Sequence, residues 1–180
     1  MLKNYSISRL NCEQNSNNKL RIFDFDDTLV KSDSKIKVVS KIRGEFLLTP
    51  KEYVFYEKKH DDEFDYSEFL QLINPQEITI VCDIFRKVYE KHGNSGVVIL
   101  SARCSSEPIK KFLKQINIHD VNVYITPTPV PSAKATYVNQ WIMERDLEYV
   151  EFFDDSHKNI EAINDLRDIH PHVDIVTYHI

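Results

Sequence analysis

Leu20-Arg21-Ile22-Phe23 runs directly into Asp24-Phe25-Asp26-Asp27-Thr28. The first four residues read as a short buried strand, and the polar residues that follow mark its carboxyl end. Downstream, the apolar clusters alternate between two periods. Val81, Ile84, Phe85, Val88 and Tyr89 recur at helical spacing and stop at Gly93, a helix C-terminal signal. Val97-Val98-Ile99-Leu100 is a continuous apolar run, as a strand buried on both faces requires. Ile109, Phe112, Leu113 and Ile116 predict a second helix, with Pro108 in a tolerated early position. Residues 121–125 are strand-like, Ser132 is expected to cap a third helix through Val138 and Ile142, and Val150-Glu151-Phe152-Phe153 is a fourth strand. Ile160, Ile163 and Leu166 mark a last helix, and residues 173–178 a last strand.

Strands alternating with helices at this spacing predict an α/β fold, a Rossmann-like parallel sheet with helices on both faces. The length of 180 residues predicts a single domain over 1–180. The alternation breaks across residues 31–75. That stretch carries Thr49-Pro50, the aromatics Tyr53, Phe55 and Tyr56, and the acidic run Asp61-Asp62-Glu63-Phe64-Asp65-Tyr66. It is expected to form a small insertion folded over one end of the sheet.

Composition removes several function classes. The only glycines are Gly44, Gly93 and Gly96, which cannot build a dinucleotide fingerprint, a phosphate-binding P-loop or a nucleophile elbow. A net charge of −5 argues against a broad platform for nucleic acid but leaves room for a small basic patch beside a site. Cys12, Cys82 and Cys104 are odd in number and far apart, which suits a reducing compartment rather than a disulfide framework. No run approaches the roughly 18 apolar residues of a membrane span. Residues 1–19 read as a polar lead-in without the hydrophobic run of a signal peptide, so no membrane association and a cytoplasmic location are expected.

In an open α/β sheet, ligands bind outside the carboxyl ends of the strands. Those ends carry Asp24, Asp26, Asp27 and Thr28 after the first strand, Ser101 and Arg103 after the second, and Asp154, Asp155 and Ser156 after the fourth. Lys134 falls in the first turn of the helix between the third and fourth strands. If strands one and four are neighbours, several carboxylates crowd one small volume, which is costly unless a cation neutralises them. Magnesium suits such an all-oxygen set and shares its shell readily with a phosphate.

Asp24-x-Asp26-x-Thr28, Ser101 at a strand end, Lys134, and Asp154-Asp155 after an apolar strand resemble, in order and context, the four motifs of the haloacid-dehalogenase (HAD) superfamily. The run from Phe152 to Asn159 is similar to short phage and repair-associated members, and Ser101-x-Arg103 to polynucleotide 3′-phosphatase domains. The resemblance implies Asp24 as nucleophile, forming an aspartyl-phosphate, and Asp26 as general acid and then base. It implies Ser101 and Lys134 on the phosphoryl oxygens, with Arg103 and Thr28 as further phosphate contacts. Asp24, Asp26 through its main-chain carbonyl, Asp155 and Asp154 would surround Mg2+.

The implied activity is phosphate-monoester hydrolysis, with a nucleotide or other small phosphorylated compound as substrate. Three alternatives stand beside it: a 3′-phosphatase acting on a nucleic-acid end, a phosphotransferase, and a non-catalytic binding protein on the same fold. Lys58 and Lys59 are the nearest candidates for tracking a nucleic-acid backbone, although the acidic run after them would repel it. Phe64, Tyr66 and Phe69 are read as packing within the insertion. The bland readings are a solvated turn for His170-Pro171-His172, an exposed helix start for His157 and an inert thiol for Cys104.

Overall fold

The structure is a computed structural model that describes residues 18–126 and 128–180, so Cys12 and nearly all of the polar lead-in lie outside it. The first strand, β1 (Lys19–Phe23), leads through a turn to β2 (Val30–Lys31). The insertion then contributes β3 (Ile36–Ser40), β4 (Gly44–Leu48), helix α1 (Pro50–Phe55), β5 (Asp62–Asp65) and a 3-10 turn over Ser67–Leu70, before β6 (Gln76–Glu77) returns the chain beside β2. Alternation follows: α2 (Thr79–Gly96), β7 (Val97–Ser101), α3 (Glu107–Gln115), β8 (Asn122–Ile125), α4 (Pro131–Arg145), β9 (Tyr149–Asp154), α5 (His157–Asn164), α6 (Leu166–Ile169) and β10 (Asp174–His179).

The five long-range strands form one parallel sheet in the order β10-β9-β1-β7-β8. Side chains of period two divide its two faces. Phe23, Val97, Ile99 and Phe153 point to one side, where they pack with Val81, Phe85 and Val88 of α2 and Ile109 and Phe112 of α3. Leu20, Ile22, Val98, Leu100, Val150 and Phe152 point to the other, against Val138, Trp141 and Ile142 of α4 and Ile160 and Ile163 of α5. The protein is therefore α/β, with a parallel sheet covered on both faces and compatible with a Rossmann-like fold. No helix among the described residues is long and apolar enough to cross a membrane.

Local departures from the sequence reading have simple causes. Gly93 adopts φ 60° and ψ −163°, a left-handed value that breaks α2 where expected, although a further turn continues to Gly96. Helix α4 starts two residues earlier than predicted: Val130 is the N-cap and Ser132 lies inside, because Pro131 is pre-set for a first helical position. Its hydroxyl makes no cap. The last helix is split in two at Asp165. His170 is a correction. It is buried, with Nε2 2.6 Å from Asn139 Oδ1, so it ties the loop after α6 to α4 rather than lying in a solvated turn. His172 is exposed, as is His157 at the start of α5.

The insertion is an antiparallel sheet, β4-β3-β5, with α1 against it. Val38, Phe46 and Phe64 share one cross-strand row, and Tyr53 and Tyr56 of the helix segment pack on those rings. Tyr66 joins through Tyr53, so Phe64 and Tyr66 do pack the insertion, whereas the Phe69 ring centroid lies 5.3 Å from the Arg103 guanidinium carbon. Thr49 caps α1 in a reciprocal box with Glu52, whose carboxylate accepts from the Thr49 main-chain N–H at 2.7 Å.

Candidate active site

Strand register brings the chemistry together. Phe23 lies opposite Phe153 on one neighbour and Ile99 on the other, so Asp24, Asp154 and Ser101 emerge along the same sheet edge. The Asp24 main-chain N–H donates to Phe153 O at 2.9 Å, which extends the β1–β9 ladder to the first carboxylate. Asp24 and Asp154 are both buried. Buried like charges need a cation, and Lys134 from the first turn of α4 supplies one: its Nζ lies 2.6 Å from Asp24 Oδ1 and 2.7 Å from Asp154 Oδ2, itself 4% exposed.

Asp154 is further satisfied by Asn159 Nδ2, which donates to both of its oxygens at 2.9 and 3.0 Å, and by the Ser156 N–H at 2.8 Å. Asp155 is different. It is half-buried, and among the described residues its carboxylate accepts no hydrogen bond. One oxygen each from Asp24, Asp154 and Asp155 falls within a 4.8 Å span, a set that could hold one metal ion.

The electrostatics record deep burial and crowded carboxylates. Burial pushes the Asp24 carboxyl up to about 8; the Lys134 ammonium pulls it back, while Asp154 and Asp26 add to the rise. Burial likewise pushes Asp155 up to about 6, reinforced by Asp154 and Asp27. Burial opposes the charge on Lys134, yet Asp24 and Asp154 hold its pKa above the ordinary lysine value. The sign of the linkage follows. Two carboxyls whose folded pKa values lie above the unfolded one hold protons that unfolding would release, so their contribution is fully present below about pH 4 and is lost as pH rises through 6 and 8. A divalent cation binding the deprotonated set should displace those protons. Its affinity is expected to tighten from pH 5 to about pH 8, measurable by calorimetry in buffers of different ionisation enthalpy. Asp155→Asn should erase most of the magnesium-induced rise in Tm while sparing the metal-free Tm. Asp154→Ala should instead lower the metal-free Tm, because it strips Asn159 of its partner and leaves Lys134 with Asp24 alone.

Arg103 does not face an open anion site. Its guanidinium forks onto Asp26, Nε to Oδ2 at 2.8 Å and Nη2 to Oδ1 at 2.7 Å. Nη1 donates to the carbonyls of Phe69 and Gln71 at 3.0 and 2.9 Å, and Nη2 lies 3.4 Å from Ser32 Oγ. Arg103 therefore binds the second aspartate to both ends of the insertion, with Ser32 near its start and Phe69 and Gln71 near its end. An ammonium has no such planar fork. Arg103→Lys is expected to lower stability by about 2–3 kcal/mol, read by urea denaturation, because at least one carbonyl and one Asp26 oxygen lose their donor.

Ser101 Oγ accepts the Arg103 N–H at 3.2 Å, which leaves its own hydrogen free to donate. Thr28 departs from its expected role. It is fully enclosed and its Oγ1 has no partner among the described residues, so in this conformation it offers no surface to a ligand. Asp27 adopts φ 56°, bends the chain after the first strand, and lies 3.9 Å from Lys51 across the insertion. The Asp26 side chain lies outside the three-carboxylate group, with both of its oxygens on Arg103, whereas the metal contact expected of Asp26 is through its main-chain carbonyl. Cys82 and Cys104 are both free thiols.

Sequence reasoning passed over Ser32 and the Phe69 and Gln71 carbonyls, which no motif marks. Asn159 was legible only as part of a resemblance, yet its spacing from Asp154 places it in the first turn of α5, facing back to the strand end. Compared with known proteins, the chain matches no family model and no curated protein.

Proposed function

We propose that this chain is a magnesium-dependent phosphohydrolase of the HAD type, which hydrolyses a phosphate monoester through an aspartyl-phosphate on Asp24. One observation carries the reading. A buried lysine bridges two buried aspartates at the ends of adjacent central strands, beside a third carboxylate that has no hydrogen-bond partner among the described residues. A structural ion pair would be closed, with its carboxylates matched by donors. This set is left short of one cation, and burial, reinforced by the neighbouring aspartates, makes the carboxyls of Asp24 and Asp155 hold protons more tightly than usual.

Magnesium fits the donors, which are all carboxylate oxygen, and Asp24, Asp155 and Asp154 would hold it. When bound, it supplies charge neutralisation for the carboxylates and for the phosphoryl oxygens. The chain's own residues do the rest. Asp24 uses one oxygen to attack phosphorus, and the bond from phosphorus to the leaving oxygen breaks as Asp26 gives that oxygen a proton. Asp26 then takes a proton from water, whose oxygen attacks the aspartyl-phosphate and releases inorganic phosphate and free Asp24. Lys134 and the Ser101 hydroxyl are the donors available to the phosphoryl oxygens. Since Arg103 engages both Asp26 oxygens, one of them has to leave the fork for the proton transfer.

The cations expected to track a nucleic-acid backbone are engaged within the insertion. Lys58 Nζ stands 4.6 Å from the Tyr53 ring centroid and 5.3 Å from that of Phe64, and Lys59 pairs with Glu57. This favours a small phosphate ester over a polymer end. The test is phosphate release from p-nitrophenyl phosphate and a panel of small esters. Turnover that EDTA removes and magnesium restores is the expected result; no release from any ester with magnesium present would defeat the reading.

A further inference from the structure

Where the insertion leaves and rejoins the chain, with Asp27 of the turn after β1 on its wall, lies a cavity of about 340 Å³. That is at the small end of the roughly 300–1,000 Å³ usual for small-molecule sites. Two of its lining residues tie it to the chemistry. Asp27 borders the cavity three residues past Asp24, and Ser32 borders it while meeting the Arg103 that holds Asp26. The cavity is thus one side chain away from the second aspartate and shares the turn that carries both motif aspartates.

Its walls are unlike the rest of this acidic protein. Lys31, Lys35 and Lys51 line it, against Asp27 and Asp33. Asp33 is engaged by Asn74 Nδ2 at 3.0 Å, and Asp27 has only the distant Lys51. Among the described residues, neither Lys31 nor Lys35 has an ion-pair partner. The remaining lining is hydroxyl and amide, with Pro50 the one apolar side chain and no aromatic ring on which a base could stack. The rim is braced rather than loose. The Lys35 N–H donates to Glu68 Oε2 at 2.7 Å and the Asp33 N–H to Ile73 O at 2.9 Å, so both ends of the insertion cross beside the cavity.

We infer that this cavity receives a second phosphate of the substrate, held by Lys31, Lys35 and Lys51, and that the substrate class is a small, hydroxyl-rich bisphosphate. The inference rests on the phosphatase reading for the reacting end only. Two ammonium groups without an ion-pair partner among the described residues, a third only loosely held by Asp27, and hydroxyls and amides together recognise a phosphorylated polyol, whereas an aromatic substrate would find no ring to stack on here.

The experiment compares sugar bisphosphates and nucleoside 3′,5′-bisphosphates, each with its own monophosphate, and adds a 3′-phosphorylated oligonucleotide. The expected result is a kcat/KM about tenfold higher for at least one bisphosphate, falling toward equality in Lys31→Ala/Lys35→Ala and at high ionic strength. Thermal denaturation of the double variant reports whether the fold survives. Lys31→Gln/Lys35→Gln, which keeps length without charge, serves if the alanine protein unfolds. Equal kcat/KM within every pair would overturn the inference while turnover of p-nitrophenyl phosphate keeps the phosphatase reading. A lysine-dependent gain confined to the oligonucleotide would overturn the small-molecule assignment. If no ester is hydrolysed, calorimetric binding of the same pairs in the presence of magnesium decides it. Tighter, lysine-dependent binding of a bisphosphate supports the cavity as its site, and equal affinities reject it.

Discussion

Asp24→Asn is expected to lower magnesium-dependent phosphate release by about 10⁴-fold or more, the scale on which loss of a covalent nucleophile is felt. The amide keeps the shape of the side chain and can still accept from Lys134, so the fold should persist. It cannot attack phosphorus at a useful rate, and it removes one charge from a buried cluster in which Asp24 holds its proton up to about pH 8. The metal-free variant should accordingly match or exceed the parent in Tm near pH 8, while its magnesium-induced shift shrinks. Single-turnover measurement on any accepted ester separates the outcomes. Retention of near-parental turnover by Asp24→Asn would reject Asp24 as nucleophile, whatever the metal does.

Lys134→Met should have the largest effect on stability. The side chain is 4% exposed, and its ammonium is the common partner of Asp24 and Asp154. Methionine fills much of the same volume but leaves two buried carboxylates facing each other without a cation, beside Asp155. Breaking a buried pair in this way costs about 3–5 kcal/mol. The loss should be smallest at low pH, where protonation removes the repulsion, and should grow as pH rises toward 8. Magnesium should restore part of it by replacing the missing charge, without restoring turnover, since the phosphoryl oxygens would still lack their lysine. Urea denaturation with and without magnesium, from pH 5 to 8, reads all of this. A variant as stable as the parent at pH 8 without metal would show that Lys134 does not neutralise the cluster.

These expectations differ in how far the sequence could have led to them. Lysine at 134 is recognisable only because it follows a strand and opens a helix at the right point in a series of motifs. On helical periodicity alone it is an ordinary surface lysine. Burial reverses that reading, and burial comes from packing α4 against the sheet. Arg103 shows the opposite outcome. Two residues past Ser101 it reads as a phosphate clamp, and in the folded chain carbonyls from the far end of the insertion compete for the same guanidinium. Lys58 and Lys59 follow the same pattern, as local basic residues whose partners are rings and a carboxylate a few residues away.

By itself the sequence determined what is local. Runs of Val, Ile, Leu and Phe with period two or none define the central strands, and the period near four defines the helices. Too few glycines exclude the common nucleotide-binding loops, and Asp24-x-Asp26 at a strand end marks where chemistry would sit. Those signals are short-ranged because each depends on the geometry of one strand or one turn of helix. The tertiary structure decided everything that depends on which distant segments become neighbours. Pairing of β1 with β9 sets Asp24 beside Asp154, and packing of α4 drives Lys134 between them. Pairing of β1 with β7 gives Arg103 to Asp26, and closure of the insertion brings the lysines at 31, 35 and 51 to one cavity. A charged side chain takes whichever opposite charge or acceptor the fold brings within reach, and no periodicity in the chain encodes that choice.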